Sequence, residues 1–161
     1  MRIVTIGGYG FTEEGFLQAI KDAGVDTFVD VRQRRGMRGA RYAFLNSLRL
    51  QKLLTSIGVK YVHALELAPT AIVRAAQKQD DLDSGTAKRD RTKLSPEFVE
   101  KYRSEILSRV DATSLRGALN DASIVALFCV EGHPGACHRS LAAEYLFKVL
   151  GSDHPVEHIR P

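Results

Sequence analysis

Short apolar runs alternate along the chain with stretches in which apolar residues recur every three or four positions, so strands and helices are predicted in turn. Arg2 to Ile6 reads as a strand, broken by Gly7-Gly8-Tyr9-Gly10 before Thr12, an N-cap with Glu13 and Glu14 in the first helical turn. That helix runs to about Ala23, where Gly24 stops it. Val25 to Val31 is a second strand, Leu45 to Ile57 a second helix closed by Gly58, and Lys60 to His63 a third strand. A helix around Pro69 to Gln79 leads into a polar, mixed-charge stretch, residues 80–94, expected to be a mobile loop. Ser95-Pro96-Glu97 combines a cap, a first-turn proline and an acid, opening a helix through Ile106 and Leu107. A further helix covers Ala112 to Asn120, the apolar run Ile124 to Val130 is the last buried strand, and Cys137-His138-Arg139-Ser140 opens the last helix. Pro155 to Ile159 is read as a closing short strand.

Strands alternating with helices imply a parallel sheet. The expected fold is a single α/β domain over residues 1–161, with an open, mostly parallel sheet and helices on both faces. Its ligand crevice belongs beyond the carboxyl ends of the strands, which are Gly7-Gly8-Tyr9, Asp30-Val31-Arg32, His63 and Cys129-Val130-Glu131.

With 161 residues the chain is long enough to build a core without staples. No apolar run approaches the roughly 20 residues of a membrane span, and Met1 to Ile6 shows no signal-peptide pattern, so a cytoplasmic address without a membrane partner is expected. Its two cysteines are then expected as free thiols. A net charge of +4 points mildly to a polyanionic partner, nucleic acid or a nucleotide.

The densest chemistry lies around the last strand-turn-helix corner, which holds Cys129, Glu131, His133, Cys137, His138 and Arg139. A helix N-terminus and Arg139 would stabilise a Cys137 thiolate or a bound anion, and Glu131 shares a strand side with Cys129 as an acid/base candidate. Cys129, Glu131, Cys137, His138 and Arg139 are therefore the catalytic candidates. Eight positions separate the two cysteines, unlike the usual paired zinc hooks, so neither a metal nor another cofactor is expected.

The candidate ligand-binding residues are Gly7, Tyr9, Asp30, Arg32, Arg34, Arg35, Arg38 and His63. Gly7 and Tyr9 lie on a tight turn that feeds a helix N-terminus, which favours anions. Asp30 and Arg32 share one side of a strand end, and Tyr61 and His63 alternate on the next strand. Arg32, Arg34, Arg35, Arg38 and Arg41 fall on one glycine-containing stretch followed by Tyr42 and Phe44; guanidinium forks there suit phosphate, and the aromatics suit base stacking.

Taken in order, Thr5-Ile6-Gly7, Asp30-Val31-Arg32, Tyr61-x-His63, the Phe98 to Tyr102 helix, Cys129-x-Glu131, Cys137-His138-Arg139 and His158-Ile159 resemble the family known as domain of unknown function 488. The resemblance spans nearly the whole chain and implies a compact α/β fold with a shared pocket around those residues, without implying an activity. Gly8-Tyr9 departs from it, since relatives often carry a small polar residue after the glycine. A fainter likeness, carried by Asp30-Val31-Arg32 and by a strand-end cysteine ahead of an Arg-Ser-x-Ala-Ala helix, is to rhodaneses and cysteine phosphatases. In those families an arginine closes an anion cradle that starts at the cysteine; here Arg139 comes ten residues after Cys129 and only two after Cys137.

Three functional readings follow. The first is binding of a phosphate-bearing ligand, nucleic acid or a nucleotide, by the arginine loop and the Cys-x-Glu and Cys-His-Arg corner. The second is a thiol enzyme that transfers sulfur or hydrolyses a phosphate ester. The third is a non-catalytic interaction module.

Overall fold

The strand Ile124–Cys129 carries no alternation because neither of its faces meets water: Val125 to Cys129 are all buried. It is the central strand of the computed structural model, which describes residues 1–87 and 90–161. Among the described residues five strands, β1 (Arg2–Gly7), β2 (Thr27–Asp30), β3 (Lys60–His63), β4 (Ile124–Cys129) and β5 (Glu157–Ile159), form one all-parallel sheet in the order β3-β2-β4-β1-β5. The α-helices are α1 (Glu13–Asp22), α2 (Ser47–Ser56), α3 (Ala71–Ser84), α4 (Pro96–Lys101), α5 (Ala112–Ala118) and α6 (His138–Leu150).

The chain steps from β1 over to β2 and β3 through α1 and α2, then returns to β4 and passes to β5 through α3 to α6. Right-handed crossovers in opposite directions place the two helix sets on opposite faces. The neighbours β1 and β4 therefore send their next helices to opposite sides, which opens a switch point at their carboxyl ends. Both strands end there on one register pair, Gly7 with Cys129. No side chain fits at Gly7, since a Cβ would lie 2.1 Å from the Glu131 carbonyl oxygen. On the β2 side Phe16 packs edge-on against Phe28, Phe44 and Phe128, so the core reaches directly beneath the site.

Local signals account for most element ends. Thr12 Oγ1 accepts from Gly15 N at 3.1 Å, and Ser95 Oγ accepts from Phe98 N at 3.1 Å ahead of Pro96. The structure departs from expectation in two places. The stretch expected as a loop from Asp80 begins inside α3, which continues past Gln79 to Ser84. Side-chain hydrogen bonds Gln77–Asp81 and Gln79–Asp83, four residues apart, extend it until Gly85 turns left-handed at φ 65°. Arg91 then returns to Asp81 with a two-pronged ion pair; positions 88 and 89 of that stretch lie outside the described residues. The helix expected to run through Leu107 is α only to Lys101, then winds a π turn over Tyr102–Ile106 and a 3-10 turn over Leu107–Arg109.

Candidate functional site

Asp30, fully buried at the end of β2, needs partners for two carboxylate oxygens and finds four donors. Arg32 supplies its backbone N–H at 3.1 Å and Nε at 2.8 Å to Oδ1, and a second guanidinium nitrogen at 2.7 Å to Oδ2; the Tyr61 hydroxyl also donates to Oδ2 at 2.7 Å. The rest of the Arg32 guanidinium reaches the Leu45 carbonyl at 3.0 Å and lies over the Phe128 ring. His63 Nε2 holds the Arg32 carbonyl at 3.0 Å. Asp30, Arg32, Tyr61 and His63 thus meet, as their strand positions suggested, but as a closed ion-pair clamp under the β2 end, with Arg32 only 3 % exposed.

The loop after the clamp is different. Arg34, Arg38 and Arg41 are exposed, and among the described residues none has a carboxylate within ion-pair distance. Arg35 is half-buried and donates to the Tyr61 hydroxyl at 3.3 Å, a contact that raises the pKa of its guanidinium. Tyr42 packs on Tyr9 with ring centroids 5.0 Å apart and carries Arg41 over its face, whereas Phe44 belongs to the core.

Beyond β4 the turn is closed from inside. Arg139, 1 % exposed in the first turn of α6, donates one guanidinium nitrogen to the Glu131 carbonyl and another to the Gly132 carbonyl at 3.1 Å. Its Nε has no hydrogen-bond partner among the described residues. An arginine occupied by the carbonyls of its own turn is built unlike one that closes over an anion. Glu131 is buried beside it, and Gly8 N and Tyr9 N are taken up by carbonyls at the end of β4.

The cysteines come together. Both are reduced and buried, Cys129 at 8 % and Cys137 at 2 % exposure, and Cys137 is the residue that precedes α6. Cys137 Sγ lies 3.8 Å from His138 Nδ1, and His138 Nε2 lies 2.9 Å from the Val31 carbonyl oxygen. Burial raises the Cys137 thiol, but a hydrogen bond from Cys129 and the nearby His138 and Arg139 charges outweigh it, leaving the thiol well below its ordinary value. Cys129 moves up, through that same hydrogen bond, burial and the neighbouring Cys137 and Glu131 charges. Burial pulls His138 down, but Cys137 and the Val31 carbonyl hold it above the usual histidine value.

Sequence reasoning gave Tyr102 no role of its own. The first residue of the π turn, it donates to the Leu67 carbonyl at 2.6 Å and sets its ring edge-on to His138. Burial, with the two cysteines nearby, pushes its phenol well up. Nothing in the spacing separates it from Phe98 and Ile106, which sit four positions away on either side and are core. Two concavities lie elsewhere, one against α4 and the π turn at Leu94, Pro96 and Val99, the other between Thr12, Arg41 and Arg49.

Fold and site together define an open, all-parallel α/β domain with a buried cysteine–histidine corner at its switch point and, in the loop after β2, exposed arginines without a carboxylate partner among the described residues. A family model described as "Domain of unknown function DUF488" matches residues 12–146, and the chain belongs to that family. No curated protein and no solved structure matches the chain. Among the described residues no helix is long and apolar enough to cross a membrane.

Proposed function

We propose that this protein binds a phosphate-bearing ligand, with nucleic acid the best-fitting class, through the loop that follows β2. The observation that carries this reading is the set of exposed, uncompensated guanidinium groups of Arg34, Arg38 and Arg41 at the carboxyl edge of the sheet. A cation without an internal partner is available to phosphate, and each phosphate contact releases counterions. Tyr42 and Tyr9 pack together beside the loop and bring aromatic rings next to its arginines, which suits base stacking. Arg32 and Arg139 keep their partners and support the loop and the turn; the phosphate contacts fall to the exposed members.

The test is binding of fluorescent single- and double-stranded oligonucleotides by the wild type and by the double variant Arg34→Gln/Arg38→Gln, across a salt series. Loss of two contacts should lower the salt slope by roughly 1.4 on single strands and 1.8 on duplex. An unchanged slope in the double variant would sink the reading.

A second reading, a thiol enzyme, has its own support in the Cys137–His138 contact, which is the arrangement of a nucleophile beside a base. It expects sulfur transfer or phosphate-ester hydrolysis to be lost in Cys137→Ser.

A further inference from the structure

A strand end, a turn and a helix start deliver Cys129, Cys137 and His138 to one point. One ligand atom from each lies within 4.8 Å of the others, and all three residues are buried. The histidine is oriented from behind. A carbonyl oxygen only accepts, so the contact with Val31 at 2.9 Å places a proton on His138 Nε2, and in the neutral ring Nδ1 keeps its lone pair toward the sulfurs. Metal-bound histidines are held in this way by an outer carbonyl or carboxylate, which fixes both ring and tautomer.

We infer that this trio binds one zinc ion through the sulfurs of Cys129 and Cys137 and Nδ1 of His138. Tetrahedral zinc with sulfur and nitrogen ligands sets neighbouring donor atoms roughly 3.5–3.8 Å apart. The Cys137 Sγ to His138 Nδ1 distance is 3.8 Å, within a few tenths of an ångström of the roughly 3.5 Å expected for a sulfur–nitrogen pair on zinc. Two thiolates and an imidazole suit zinc and disfavour magnesium or calcium, which take oxygen. The ion displaces the two thiol protons to solvent, and a dication with two thiolates is neutral overall, so the buried corner gains no net charge. Three protein donors leave a fourth position for water or a ligand oxygen. Spacing along the chain argued against a metal because eight positions separate the two cysteines, unlike the usual paired hooks; the fold brings them together across the turn. This inference does not depend on the arginine-loop reading.

The experiment is a cobalt(II) titration of the reduced, chelator-stripped full chain, followed by zinc, with site-resolved iodoacetamide labelling of both cysteines by mass spectrometry. The expected result is saturation at one cobalt per chain with thiolate-to-cobalt charge-transfer absorption and tetrahedral d–d bands, displacement by one equivalent of zinc, and protection of both cysteines. Cys129→Ser and His138→Gln should weaken binding by more than the roughly 10–100-fold lost with an outer hydrogen-bond partner. The wild-type titration stands even where a variant fails to fold. Absence of the charge-transfer band in the folded wild type overturns the site. So does labelling of Cys137 alone at a rate that zinc leaves unchanged, a result that would at the same time support the thiol-enzyme reading.

Discussion

Without its guanidinium, Arg32 would leave the buried Asp30 carboxylate with the Arg32 backbone N–H and the Tyr61 hydroxyl as its donors among the described residues. Breaking one side of a buried ion pair typically costs about 3–5 kcal/mol, so Arg32→Ala should lower the urea unfolding free energy by that order. A loss below about 1 kcal/mol would put the pair in the class of surface bridges. His158 adds a pH dependence. Its Nδ1 lies 2.7 Å from Thr5 Oγ1, and burial first, then the Arg139 and Arg160 charges, hold its pKa below the usual value, against the weaker pull of Glu144. The folded chain therefore resists a proton that the unfolded chain accepts, and stability contributed by neutral His158 is lost as pH falls below about 6.5. His158→Gln should flatten the acid-side decline in urea midpoints, and an unchanged slope would assign that decline to other groups. Strand alternation put Asp30 and Arg32 on one side of their strand end and Tyr61 and His63 on one side of the next strand. That these residues satisfy one another was not legible, because alternation gives a face and says nothing of what lies opposite.

At the scale of elements, α4 depends on one cap. Ser95 Oγ takes the Phe98 N–H, while Ser95 N donates to Gln77 Oε1 at 2.7 Å, which also ties the helix start to α3. Ser95→Ala should cost about 1–2 kcal/mol, measured by urea denaturation. A cost near zero would mean that water replaces the hydroxyl. Ser-Pro-Glu announced this helix in the sequence, and the structure begins it at Pro96. Its far end was not legible. The π turn at Tyr102–Ile106 leaves the spacing of Phe98, Tyr102 and Ile106 unchanged in sequence, and only the folded backbone shows the wider turn that sets Tyr102 against the Leu67 carbonyl and His138. The last turn of α3 was missed for a related reason: polarity there suggested a loop, but amide–carboxylate bonds between side chains four apart stabilise a polar helix as well.

For the whole molecule, the alternation of strand and helix signals was enough for an α/β fold with a parallel sheet, since period, caps and glycine stops are local properties of the chain. The sequence also supplied the candidate residues, and it placed the arginines together because they are contiguous. Tertiary structure alone decided the strand order, with β4 inserted between β1 and β2, and so brought the end of β1 against that of β4. It alone divided the arginines: Arg32 and Arg139 were spent on Asp30 and on backbone carbonyls, while Arg34, Arg38 and Arg41 were left to solvent. It alone joined Cys129 to Cys137 and His138. The physical reason is the same in each case. Partner choice for a buried polar group depends on which donors and acceptors the chain brings near it from distant positions, and desolvation forces that choice only once the core has closed.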